Sequence, residues 1–177
     1  EAALTHRFMK VRPKVRDLAW DGDTVYFQST IRERWRQGAF GDWKAQLKKV
    51  GATVIIAQFG KIESMDGPDR LGDFIEGYTK LLDDFAADGR RVVLLGPSPF
   101  EWPGTGGEAM QAYAGAIKKL AGQRGLAYVA AGSGNPVESF IRQLTGGGMV
   151  PKNLVVAVRE KHRLWYEYWR PANWKCL

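Results

Sequence analysis

Two short stretches set carboxylates and hydroxyls just behind a glycine, an arrangement that nucleophilic or acid–base chemistry uses. In Gly22-Asp23-Thr24 an acid and a hydroxyl follow a glycine turn, and in Gly60 to Ser64 the pair Glu63-Ser64 follows a β-rich run. A hydroxyl nucleophile needs a base within hydrogen-bond reach, an acid to orient that base, and donors aimed at the developing oxyanion. Thr24 offers the hydroxyl, but no basic partner is placed for it, and capping a turn or helix start is the usual role of such a threonine. Ser64 reads as a loop or cap hydroxyl. Glu63 has two readings: a ligand-binding carboxylate, or a pin that holds its loop by accepting backbone N–H bonds, with the pin favoured. Asp66 and Asp69 read as turn and helix-start residues. Asp23, Thr24, Glu63 and Ser64 are thus the candidate cleft-binding residues.

Metal and thiol chemistry find little support. The two histidines, His6 and His162, are far apart and in no ligand-spaced pattern, so no metal site is expected. The single cysteine, Cys176, excludes an intrachain disulfide and paired thiolate ligands. No cofactor is expected.

Around these stretches the chain alternates between strand and helix. Strands are expected at 15–20, 53–59, 92–95 and 126–130, with 53–59 reading as buried on both faces. Trp43, Leu47 and Val50 share a helical face that Gly51 stops. Leu71, Phe74, Ile75, Tyr78, Leu81, Leu82 and Phe85 recur at three- and four-residue steps, the clearest amphipathic helix in the chain, ended by Gly89. Met110, Tyr113, Ala114, Ile117 and Leu120 mark another, ended near Gly122. Pro136 opens a short helix that Gly146 to Gly148 break, and 154–168 reads as a last, aromatic helix. Strands separated by helices imply a parallel sheet with helices on both faces. Ligands of such sheets sit outside the carboxyl ends of the strands, here the loops 20–24, 60–69, 96–107 and 131–135.

The 177 residues suit one domain, and 45% hydrophobic with 25% charged residues is a globular composition. No apolar run is long enough to cross a membrane. The opening EAALTHRF has neither an initiator Met nor a basic-then-apolar leader, so the chain reads as a segment of a longer one. The net charge of +7 is uneven: net +5 over 1–50, −2 over 51–151 and +4 over 152–177. A solvated basic surface, or a face covered by neighbouring domains, accounts for these ends better than nucleic acid, since no nucleic-acid module signature accompanies them.

Three stretches together resemble the conserved blocks of the SGNH (GDSL-type) hydrolases. Asp17-Leu-Ala-Trp-Asp-Gly-Asp-Thr24 resembles the second block, whose glycine lends an oxyanion N–H; Gly22 holds that position. Gln58-Phe-Gly-Lys-Ile-Glu-Ser64 resembles the third block, with Gly60 and Glu63 matching and Ile62 in place of the oxyanion Asn. Leu144-Thr-Gly-Gly-Gly-Met-Val150 resembles the fifth block, with glycine (Gly146 or Gly147) at the acid position and Val150 at the His position. No serine precedes Gly22, so the first block with its nucleophile is absent. The stretch Glu160 to Trp174 resembles a segment that follows SGNH-like domains in large planctomycete-type bacterial proteins.

The resemblance implies a three-layer α/β/α domain with a mainly parallel, flavodoxin-like sheet over 1–150, N-terminally truncated, and a C-terminal aromatic helix and tail over 151–177. It implies descent from an esterase or acylhydrolase acting on acylated carbohydrate or another small ester. It leaves Gly22 and Gly60 as the remnant of the oxyanion region and no complete catalytic set. A non-catalytic binding or scaffolding domain is the alternative. Trp165, Tyr166, Tyr168, Trp169 and Trp174 read as packing, against a neighbouring domain, in preference to a stacking surface. The missing first strand is expected to leave either a direct 15–20 to 53–59 pairing or an open edge that promotes association.

Overall fold

Glycine stops and apolar periodicity set most of the elements. In the computed structural model, the residues described are 1–11, 13–19, 22–26, 43–100, 107–130, 139–142, 146 and 148–169. The helices are α1 (Ala2–Arg7), α2 (Trp43–Val50), α3 (Leu71–Ala86), α4 (Gly107–Gln123) and α5 (Lys152–Trp169); the strands are β1 (Val54–Gln58), β2 (Arg91–Leu95) and β3 (Ala127–Val129). Short 3-10 turns lie at Glu63–Asp66, Pro68–Arg70 and Ala87–Gly89. The chain divides into two units, Arg16–Ser139 and Glu1–Val15 with Phe140–Leu177. The boundary expected at 150/151 falls inside the second of these.

The first unit is built on an open, parallel, three-stranded sheet of order β1-β2-β3. Val54 pairs with Arg91 and Gln58 with Leu95; Val93 pairs with Ala127 and Leu95 with Val129. A strand order that follows the chain puts successive crossovers of one hand on one face of the sheet. Accordingly α3 and α4 pack against each other, α3 on β2 and α4 on β3. Phe74, Tyr78, Leu81 and Leu82 of α3 meet Tyr113, Ile117, Leu120 and Ala121 of α4 over Val92 and Leu94 of β2. The apolar stripe read from the sequence is this core face. The ring of Tyr78 stands edge-on to Phe59 at 5.4 Å, and Phe74 lies 4.8 Å from Tyr113.

Three expectations are corrected. Residues 15–19 are not a strand of the sheet, and Trp20 lies outside the described residues. There the Asp17 carboxylate accepts the Ala19 N–H at 3.0 Å, a local bond that competes with a strand ladder. β1 is not buried on both faces: Val54 is 52% and Ile56 42% exposed, because β1 is an edge of the described sheet and one of its faces is open. On α2, Leu47 is buried but Val50 is exposed in the last turn. Of the short helix expected after Pro136, residues 139–142 are helical and the rest lies outside the described residues, apart from Gly146, which is in a turn.

Candidate functional site

The loop that leaves the carboxyl end of β1 starts with a close approach that only glycine permits. Gly60 has φ 101°, and a Cβ there would lie 3.0 Å from Ile117 Cδ1 and 3.5 Å from Phe74 Cζ. The chain then tightens into the 3-10 turn Glu63–Asp66, where the Ser64 N–H donates to the Gly60 carbonyl at 3.2 Å. This turn folds the Glu63 side chain back over the loop. Oε2 of Glu63 accepts the Gly60 N–H at 2.8 Å, and Oε1 accepts the Val25 N–H at 2.8 Å. The side chain is only 2% exposed, so both bonds are charge-assisted in a dry setting.

Glu63 therefore ties the 22–26 segment to the β1 loop, across 38 residues of chain. A second feature makes room for that segment. Gly77 sits in the middle of α3, and a Cβ there would lie 3.3 Å from Val25 Cγ2 and 3.5 Å from the Val25 carbonyl. A glycine in the interior of an otherwise strong helical pattern is the sequence signal for such a contact.

The remaining polar groups brace the same loop. Ser64 Oγ donates to the Lys61 carbonyl at 2.7 Å, and Ser64 is 2% exposed. Tyr113 donates its hydroxyl to the Gly67 carbonyl at 3.1 Å; burial, then nearby Tyr26, Asp66 and Glu63, push its phenol up to about 12. The Tyr26 phenol is also raised, by burial first, with Arg70 opposing and the surrounding carboxylates adding. The Tyr78 hydroxyl is fully buried and has no hydrogen-bond partner among the described residues, and burial raises its phenol. Gln58 Nε2 donates to the Gly96 carbonyl at 3.1 Å, and the Gly96 N–H donates to the Val129 carbonyl at 2.8 Å, so the three strand ends are stitched together. Lys61 Nζ lies 5.2 Å from the centre of the Phe100 ring.

Gly60, Glu63 and Ser64 are thus brought together, with Val25 beside them. Gly22 lies in an exposed turn with φ 83°, and Asp23 and Thr24 are half-buried. Ile62 is exposed, with no side-chain donor to offer. In the other unit, Gly146 has φ 72° in an exposed turn. Val150 lines a cavity of about 230 Å³ with Ala3, His6, Arg7 and Gly148. His162 Nε2 lies 2.7 Å from a carboxylate oxygen of Glu1. Leu144, Thr145, Gly147, Trp174, Cys176, the loop 131–135 and residues 101–106 of the loop 96–107 lie outside the described residues, as do the side chains of Trp165, Tyr166, Tyr168 and Trp169.

The chain matches no family model, no curated protein and no solved structure. Among the described residues, no group of three or more His, Cys, Asp or Glu side chains is placed to hold a metal ion. No described helix is long and apolar enough to cross a membrane.

The chemistry open to this loop follows from what its groups already bind. The Gly60 N–H points at a carboxylate, so an oxyanion brought to it would displace that bond and meet the Glu63 charge. The Ser64 hydroxyl is buried and donates to a carbonyl. Tyr78, Tyr113, Tyr26 and Gly77, read from the sequence as core or not singled out, complete the bracing.

Proposed function

We propose that the chain is a domain of SGNH-esterase descent, with the three-layer flavodoxin-like α/β architecture of that family, that carries no ester hydrolysis of its own and serves as a binding or scaffolding module. One observation supports this reading above the others. Both oxygens of Glu63 engage backbone N–H groups, so the most prominent carboxylate at the carboxyl end of the sheet acts as a fastener and not as a base. The sequence adds to it, with Ile62 and Val150 at positions where the family uses side chains that donate or carry protons. A set stripped of its nucleophile, base and acid keeps at most the residual contribution of donors and binding.

The test is hydrolysis of a short-chain p-nitrophenyl ester by the purified chain, with Thr24→Ala and Ser64→Ala beside it. The expected result is no turnover above background in any of the three. Turnover that vanishes in Thr24→Ala would identify a rewired nucleophile and end the proposal.

A further inference from the structure

We propose that the turn Arg7–Val11, together with the cavity beside it, is a docking face for an anionic phospholipid surface. The unit Glu1–Val15 with Phe140–Leu177 carries 11 Lys/Arg against 3 Asp/Glu, a net +8 in a chain whose total is +7. All of the excess positive charge therefore resides in this unit. Its α1 helix ends in a turn closed by the Phe8 N–H to Leu4 and the Val11 N–H to Phe8 carbonyl bonds. That turn leaves five consecutive side chains exposed, Arg-Phe-Met-Lys-Val. Met9 is 62% and Val11 78% exposed, and Phe8 joins them.

The pairing of charge with apolar side chains selects the partner. A polyanion such as nucleic acid would reward Arg7 and Lys10 but has no use for Met9 and Val11. An anionic bilayer rewards both: its surface potential attracts the cations, and its interface receives the apolar side chains. A cavity is lined by Arg7, the first residue of the exposed run, and by His6, with Ala3, Gly148 and Val150 as its other walls. Its volume of about 230 Å³ accommodates a headgroup phosphate, which Arg7 would hold with its guanidinium fork. Farther along, α5 presents Lys152 and Arg159 on its exposed face, which strengthens the long-range field of the unit. Peripheral docking of this kind requires no spanning segment.

The experiment is co-sedimentation of the full chain with vesicles of phosphatidylserine in phosphatidylcholine and with vesicles of phosphatidylcholine alone. Two double variants accompany it, Arg7→Gln with Lys10→Gln and Met9→Ser with Val11→Ser. All four side chains are exposed, and unchanged melting curves verify that the variants fold. Binding is expected to the mixed vesicles and not to phosphatidylcholine. The charge variant should lose about 30-fold in partitioning, since each cation near an anionic surface contributes roughly fivefold. The apolar variant should lose about tenfold. Equal binding of the apolar variant and the parent would reduce the effect to charge adsorption and overturn the proposal. So would equal binding to both vesicle types, displacement by inorganic phosphate alone, or tighter binding to duplex DNA than to the vesicles. If the apolar variant instead dissolves a dimer seen in sedimentation velocity, the face is a contact between copies of this chain. Should either variant melt early, the parent decides: its vesicle binding must fall with salt yet persist in part at high salt, and complete loss there would overturn the apolar contribution.

Discussion

The two units are held by different physics. Arg16–Ser139 is nearly neutral, with 15 Lys/Arg against 16 Asp/Glu, and contains the whole apolar cluster around α3, α4 and β2. The other unit has its net +8 and, among its described residues, a single buried hydrophobic side chain, Phe140. Its most evident tie is polar: the carboxylate of Glu1 accepts from Lys161 and meets His162, which joins α1 to α5. Each unit thus contains a glutamate that fastens two segments. Both side chains are largely covered, that of Glu1 being 7% exposed, but Glu63 holds fixed backbone N–H groups, whereas Glu1 holds the flexible, exposed side chains of Lys161 and His162. The same residue type should matter unequally in the two places, because bonds to exposed, flexible side chains are worth little and buried bonds to fixed backbone groups are costly to break.

The largest expected effect is therefore Glu63→Ala. It leaves the Val25 and Gly60 N–H groups without their acceptor in a buried setting, at about 1–3 kcal/mol each. Denaturant unfolding should show a loss of roughly 3–5 kcal/mol, at the upper end of single-residue effects. Glu1→Ala should shift the same curve by less than about 1 kcal/mol. Comparable losses from the two would erase the distinction between the units.

Gly60→Ala sharpens the same contrast. A methyl group there would have to move the Ile117 side chain, and φ 101° is strained for any L-residue, so a loss of about 2–3 kcal/mol is expected. Gly146 also has positive φ but meets nothing within 4 Å, so Gly146→Ala should cost about 1 kcal/mol, from backbone strain alone. Thermal melts of the two variants, side by side, separate crowding from strain.

Much of the first unit was legible in the sequence because its pattern is strongly periodic. The three- and four-residue steps from Leu71 to Phe85 became α3, and the β-rich runs 53–59 and 92–95 became the paired parallel strands Val54–Gln58 and Arg91–Leu95. The pin reading of Glu63 required only that a carboxylate after a strand finds nearby N–H groups, which it does. What could not be read was long-range. The partner at Val25 is 38 residues away, and no local pattern encodes that pairing. The expected strand at 15–20 failed because period and propensity do not register a side-chain bond such as Asp17 to Ala19, and the open face of β1 was hidden because an apolar run looks the same at an edge as in a sheet centre. The helical period puts Tyr78 in the core, but that its hydroxyl lacks a partner among the described residues follows from the packing around one atom.

That hydroxyl gives the next prediction, an expected gain. The Tyr78 ring fits its site against Phe59 and Phe74, while the oxygen is desolvated without a partner among the described residues. Tyr78→Phe keeps the ring and removes the desolvated group, so unfolding should become harder by about 1–2 kcal/mol. A loss instead would mean that the hydroxyl is bonded in solution. The control is Tyr113→Phe, which removes a made bond to the Gly67 carbonyl and should cost about 1 kcal/mol.

The smallest expected effect belongs to Glu1, and it is visible through pH. Burial alone would raise its carboxyl, but the bonds from Lys161 and His162 outweigh burial and hold it below its ordinary value of 4.5. A carboxyl that is more acidic when folded than when unfolded stabilises the fold at pH values above 4.5, and that contribution fades as the pH falls through the lowered folded value. The docking of α1 on α5 should therefore loosen in acid, seen as lost amide protection in Thr5 and Phe8, whose N–H groups donate to Glu1 and Leu4. What disappears in acid is the carboxylate that Lys161 and His162 face. In Glu1→Gln this acid step should be absent and the protection of Thr5 and Phe8 should be uniformly low. An acid step that survives in Glu1→Gln would place the tie between α1 and α5 in apolar packing, and the second unit would then be held as the first one is.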